Sequence, residues 1–300
     1  MALKQIKNKI IATKKTGQVT KAMESVSAVK MRKSQERAFL SRPYIHAALR
    51  ILSRLAKADA GMQHPLTAIR AEGKVLAVIV TSDKGLAGSV NSAVLKKAEQ
   101  LFRENGETDV VAIGRKAVEF AAREKKTTLA TYTNVSDGVT LEDVYDMSEK
   151  VLEAYKTGGY KKVIVIYQNF VSTFEQMPTV RQVLPLNTDE IKAAMDDVRP
   201  RTGRFSEDVV TSEATSPYKV EPSPEEVLNT LIPQLVQIMF YHALIESKAS
   251  EHSARMVAMK NATDKSKEVV KALTIKFNKQ RQAAITAEVS EITAGVEAMK

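Results

Sequence analysis

The stretch "ASEHSARMVAMKNAT", residues 249–263, brings Ser250, Glu251, His252, Ser253 and Arg255 close together. These are the residue types that hydrolytic chemistry uses: a hydroxyl nucleophile, an imidazole base, a carboxylate to orient it and a guanidinium to hold an anion. A nucleophilic triad needs more than the types. One group would have to come from elsewhere in the chain, and an oxyanion hole needs free backbone N–H groups that a continuous helix does not offer. The same stretch also places Ala249, Met256, Met259 and Ala262 at helical packing distances. Glu251 and Arg255 stand four apart, the spacing of a helical ion pair that stabilises by ~0.2–0.5 kcal/mol. Packing along a helix seam therefore accounts for every residue here, and the stretch is read as a seam.

Other candidate chemistry is sparser. The four histidines, at 46, 64, 242 and 252, lack metal-ligand spacing, so no metal is expected. "TSDKGLAGSVN" (81–91) follows an apolar run and precedes a helical one, a position from which backbone N–H groups can meet a phosphate. It has neither the dinucleotide-binding glycine fingerprint nor a Walker Lys-Ser pair, and reads as a tight turn using Gly85 and Gly88. No carboxylate pair suggests acid/base work. The residues give no catalytic site and no cofactor site.

Three kinds of element must position these residues. Residues 2–57 are helical in pattern, with Leu3, Ile6 and Ile10 on one stripe and Val19, Ala22, Val26 and Val29 on another, at coiled-coil spacing. Gly17 weakens such a helix by about 1 kcal/mol relative to Ala, and Pro43 is expected to end or kink it. From 74 to 186, "KVLAVIV" (74–80), "DVVAIG" (109–114) and "KKVIVIYQN" (161–169) read as buried strands. They alternate with helical stretches near 90–104, 115–125 and 140–157. That alternation predicts an α/β layer with a mainly parallel sheet. "PTVRQVLP" (178–185) is expected at its edge, and 187–217 as a linker or excursion.

The last region opens with "SPEE", where Ser223, Pro224 and Glu226 form a helix-start signal. From Leu228 to Phe277 a heptad stripe holds apolar residues at eleven of fifteen positions, the others being His242, His252, Thr263 and Ser266. It then shifts by one residue to Ile285, Val289, Ile292 and Val296. Unbroken from 224 to 298, the helix would be ~110 Å long at 1.5 Å per residue. A helix of that length needs a partner, and the N-terminal helix is the other long one. The expected architecture is an α/β fold with a long antiparallel coiled coil of the two terminal helices (1–57 and 218–300) and an inserted Rossmann-like α/β domain (74–186).

Charge narrows the partners. The chain carries a formal +10, but residues 1–57 hold fourteen Lys and Arg against Glu24 and Glu36, leaving the rest slightly acidic. A basic segment of this kind asks for an anionic partner: nucleic acid, anionic lipid or an acidic protein collar. Base stacking would need aromatics, and Phe39 and Tyr44 are the only ones before residue 102. Cysteine is absent, which excludes disulfides, thiolate nucleophiles and thiol switches. No signal-peptide core and no run of 18 apolar residues is present, so a protein that is soluble, or peripheral to a membrane, is expected. A nucleic-acid binder with a basic arm and a coiled-coil scaffold both remain compatible with these features.

Taken together, "IKNKIIATKKTGQVTKAMESVSAVKMRKSQ", "TSDKGLAGSVN", "ASEHSARMVAMKNAT" and "KFNKQRQAAITAEVSEITAG" resemble the gamma subunit of the F-type ATP synthase, end to end. The departure is "TDKSKEVV" (263–270), where the family has Asn-Ala or Asn-Gly after the Asp. The resemblance implies a non-catalytic rotor shaft, present in single copy in a hetero-oligomer, inside a hexamer of alpha and beta subunits. It also implies contacts with the epsilon subunit and the membrane c-ring, no nucleic acid, and a peripheral location on the cytoplasmic face of the cell membrane. By position, Met23 would lie near the collar loops, Arg281 and Gln282 would form a hydrogen-bonding catch for a beta loop, and Arg255 would be a further coupling position.

Overall fold

A computed structural model describes residues 3–58, 64–186 and 223–299, with residues 41–58 and Pro224 as backbone only. Helix α1 (Leu3–Ala58) is followed by β1 (Lys74–Val80), α2 (Val90–Asn105), β2 (Thr108–Ile113), α3 (Arg115–Arg123) and β3 (Thr128–Tyr132). Then come α4 (Leu141–Lys156), β4 (Tyr160–Phe170), β5 (Gln176–Leu184) and α5 (Pro224–Ala298). The segment read as an excursion, 187–217, lies outside the described residues, as does the side chain of His46. The chain divides into two compact units, one of residues Met1–Ser27 with Met256–Lys300 and one of Ala28–Arg255.

The larger unit is built on a five-stranded sheet in the order β3-β2-β1-β4-β5. β1 pairs in parallel with β2 and β4, β2 in parallel with β3, and β5 antiparallel with β4 at the edge. The strands read from sequence as buried are buried on both faces because helices cover each. Val75, Ala77 and Ile79 of β1 join a core with Val94 and Ala98 of α2 and Phe120 of α3. The alternate residues Leu76, Val78 and Val80 pack with Val144 and Val151 of α4 and with Ile232, Val236 and Phe240 of α5. A Thr140–Asp143 capping box starts α4, and Ser223 Oγ accepts from Glu226 N at the start of α5. The strand missed by sequence, β3, is short and largely exposed, so it lacks the apolar run that marks its neighbours.

Helix α1 continues through Pro43, so of the two expected outcomes the proline does not end the helix. Helix α5 runs 75 residues through Pro233, near its start. One 18-residue window of α5 reaches a mean hydropathy of 1.2, enough by length and composition for a membrane span, but 56% of it is buried inside the protein, as in a core helix.

In the smaller unit α1 and α5 run antiparallel: Thr20 bonds Thr263 at 2.7 Å, and three residues earlier on α1, Gly17 faces Ser266, three residues later on α5. The stripe read on α5 holds here, with Met259 and Thr263 buried and Ser266, Val270, Leu273 and Phe277 half-buried. On α1 the stripe of Leu3, Ile6 and Ile10 holds too, but that of Val19, Ala22, Val26 and Val29 does not. Val19 and Val26 are 58% and 54% exposed, and the buried line instead follows Ile6, Ile10, Thr13, Gly17, Thr20 and Ser27. Small residues let the two backbones approach: a Cβ on Gly17 would come within 3.3 Å of the Ser266 Cβ. The hydroxyls are satisfied locally, Thr13 by Lys9 O and Thr263 by Met259 O. Gly17 is thus a packing position rather than a weak point. The shifted stripe of Ile285, Val289, Ile292 and Val296 is exposed, at 52% to 66%.

Candidate functional site

Where α5 leaves the apolar core it enters a polar girdle within the larger unit. Between His242 and Ser253 nearly every residue is buried, so the helix has no solvent face there and its polar groups must bond to the α/β layer. Glu246 accepts from the Phe170 N–H at 3.1 Å. Ser250 Oγ donates to the Gln168 carbonyl at 3.1 Å and Ser253 Oγ to the Thr173 carbonyl at 2.6 Å. These bonds tie α5 to the end of β4 and to the turn that follows it.

On another side of α5, Arg255 and Glu251 form an ion pair of 2.6 Å with side chains 8% and 7% exposed. The sequence reading took these two as a helical i,i+4 pair of small worth; burial makes the pair a far stronger constraint, since neither charge can be left alone there. Arg255 also donates through Nη2 to the Gly85 carbonyl at 3.2 Å, so the loop after β1 is clasped by α5.

Side chains at the start of that loop cap the neighbouring helix α3. Asp83 Oδ1 accepts from Arg115 N and Thr81 Oγ1 from Ala117 N, filling the N-terminal N–H groups of α3. Gly114, at φ 86°, lies so close to the Thr81 carbonyl that a side chain would collide with it. Ser82 is bonded to Asn91 and to the Lys84 carbonyl. The side chains of Thr81, Ser82 and Asp83 thus bond within the turn and to α3.

His252 points at a third partner, which sequence reading missed. Its Nε2 is 3.0 Å from Asp137 Oδ1 and its Nδ1 is 3.4 Å from Arg255 Nη1. A guanidinium only donates, so Nδ1 accepts and Nε2–H donates to the carboxylate. With both serines bonded to backbone carbonyls, no hydroxyl is left for the imidazole to activate, and the triad reading fails on geometry. The other described histidines are structural. His64 accepts the Leu66 N–H at Nδ1 and bonds Asn229 through Nε2, and burial lowers its pKa. His242 lies buried, edge-on to Tyr241.

Asp137 also accepts from Lys30 of α1 at 2.6 Å, while Arg37 donates to its carbonyl at 3.1 Å and Lys248 to the Val135 carbonyl at 2.9 Å. The His252 hydrogen bond, with further help from Lys30 and against the cost of burial, holds the Asp137 carboxyl well below the usual carboxylate range. A depressed folded-state pKa stabilises the fold above the unfolded value of about 4 and loses that stabilisation as pH falls below it. Wild-type chain is therefore expected to lose more melting temperature than Asp137→Asn between about pH 5 and pH 3. Parallel pH profiles for the two would refute the pairing.

The four coupling positions named from sequence fall in both units, Arg255 in the larger and the others in the smaller. Arg255 is buried in the girdle, Met23 is half-buried on α1, and Arg281 and Gln282 are exposed on α5. Asp137, Lys30 and Lys248 were invisible to sequence reading, since a lone Asp-Gly in a loop reads as a turn.

Comparison with known proteins bears on the whole chain. The family model described as ATP synthase matches residues 2–299. An ATP synthase gamma chain of Symbiobacterium thermophilum is 39% identical, covering 99% of this chain and 98% of its own. One from Heliobacterium modesticaldum is 36% identical, covering 99% of each. Among solved structures, a central stalk and c-ring chain of the Tetrahymena thermophila mitochondrial ATP synthase is 25% identical with a TM-score of 0.59, covering 81% of this chain and 99% of that one. A rotor chain of the Euglena gracilis enzyme, at 19% identity, has the same fold with a TM-score of 0.62, covering 94% of this chain and 98% of that one.

Proposed function

Because the chain belongs to the ATP synthase gamma-chain family, we propose that it is the non-catalytic central shaft of a rotary ATP synthase, coupling ion-driven rotation to nucleotide turnover in a hexamer of alpha and beta subunits. In this reading residues 1–57 and 218–300 supply the shaft, and the domain at 74–186 meets the epsilon subunit and the c-ring. The complex sits peripherally on the cytoplasmic face of the cell membrane, with one copy of this chain and no nucleic acid.

The observation that carries the proposal is the surface of the smaller unit. Its two helices close on a narrow seam of small residues and leave apolar stripes outward, Val19 and Val26 on α1 and Ile285, Val289, Ile292 and Val296 on α5. Contiguous exposed apolar stripes call for an enclosing partner. Non-directional contacts of this kind suit a shaft that turns within a sleeve, because no polar bond must break at each step. The adjoining lysines suit acidic loops on the sleeve.

Two measurements test it. Tagged chain is expected to co-purify with nucleotide-binding ring subunits, one copy to three beta subunits; recovery with nucleic acid alone would overturn the reading. The pure chain is expected to bind no ATP by calorimetry, since its sequence has neither a Walker Lys-Ser pair nor an acid/base carboxylate pair; affinity in the micromolar range would contradict the non-catalytic role.

A further inference from the structure

Torque passing between the α/β domain and the shaft helices must cross the contacts that join them. Most of those in the larger unit are apolar: Ile232, Val236 and Phe240 of α5 against the sheet. Apolar contacts resist separation but resist sliding and axial rotation poorly, because they have no preferred direction. Hydrogen bonds, and charge-assisted ones above all, are directional.

The loop between β3 and α4 concentrates such bonds. Its Asp137 carboxylate takes Lys30 of α1 on one oxygen and His252 of α5 on the other, at 2.6 and 3.0 Å. The backbone of the same loop takes Arg37 of α1 and Lys248 of α5. Lys248 also stands 3.8 Å from the carboxylate, and the His252 and Lys248 side chains are only 4% and 12% exposed. Both shaft helices and the α/β domain therefore meet by directional bonds around one short carboxylate whose reach leaves little slack.

We propose that Asp137 is a torsional tie: a positioning residue that locks α1 and α5 to the α/β domain so that rotation of one is delivered to the other without slip. This rests on the rotor reading above. Asp137 touches no nucleotide and is no part of the catalytic chemistry; it sets the stiffness of the joint. Loss of the tie leaves the apolar core in place, so the domain stays docked but twists more freely under thermal motion.

The test uses single-molecule rotation of the chain assembled with its alpha/beta hexamer. The sequence contains no cysteine, so Lys96→Cys, at an exposed position on α2, gives a single attachment point for a bead on the α/β domain. In Asp137→Ala the angular variance of the bead during ATP-waiting dwells is expected to rise roughly twofold, as a joint opened by loss of local bonds predicts. Unloaded ATP turnover stays at the wild-type level. Lys30→Met removes the α1 arm from a half-exposed position and is expected to give a smaller rise in the same direction, so the tie remains testable if Asp137→Ala assembles poorly. Asp146→Ala, an exposed carboxylate on α4, is expected to leave the variance unchanged. Wild-type variance in both Asp137→Ala and Lys30→Met would overturn the tie. Absence of rotation in the wild-type assembly would instead overturn the rotor reading on which it rests.

Discussion

Replacing Arg255 with alanine is expected to destabilise the larger unit by about 3–5 kcal/mol, the usual consequence of removing one member of a buried ion pair. Glu251, 6% exposed in the wild-type chain, would keep only the more distant Lys248 ammonium at 3.9 Å, and the Gly85 carbonyl would lose its donor. With no tryptophan in the chain, unfolding is followed through tyrosine fluorescence. At an m-value of about 1–3 kcal/mol per molar urea, the midpoint should fall by about 1–5 M. Arg255→Met combined with Glu251→Gln is expected to recover much of the loss, because desolvation of the lone carboxylate dominates the single variant. A shift below about 1 kcal/mol for Arg255→Ala would mean that water reaches the pair and the burial is wrong.

Changing both Arg281 and Gln282 to alanine is expected to lower ATP turnover of the assembled complex by about tenfold while leaving assembly intact. Both side chains are exposed on α5, so neither is required for the helix pair to close. Adjacent helical residues point about 100° apart, so a single partner surface must curve around the helix to bond both. A charge-assisted hydrogen bond made where water is excluded contributes about 1.5–3 kcal/mol. Lys279→Ala, an exposed charge on the same helix, is expected to change turnover little. Steady-state hydrolysis of the three assemblies decides: equal rates would sink the catch, and failure to assemble would make the two residues structural.

Much of the fold was legible because burial on both faces leaves a compositional mark. β1, β2 and β4 show as unbroken β-branched runs, and β5 as an alternating stretch closed by prolines, since both patterns follow from which faces a strand must hide. The exposed edge strand β3 hides nothing, and so showed nothing. On α5 the heptad stripe was correct from Met259 to Phe277, where only one face is covered.

Two features were decided by tertiary structure alone. Past Ile10 the seam of α1 was misread because the valines looked like the buried face, whereas the buried face there is made of Thr13, Gly17, Thr20 and Ser27. When two helices meet closely, small residues are selected at the contact and bulk is pushed outward, which inverts the rule that larger apolar side chains mark the interior. The girdle was read as a packing seam, but its polar partners stayed hidden for a different reason. Glu251, His252 and Arg255 announce polar chemistry by type, but what that chemistry does depends on Asp137 and Gly85, which lie 115 and 170 residues away. Local sequence determines which groups need partners; only the packed fold brings those partners within hydrogen-bonding range, and so turns an apparent active site into an anchorage.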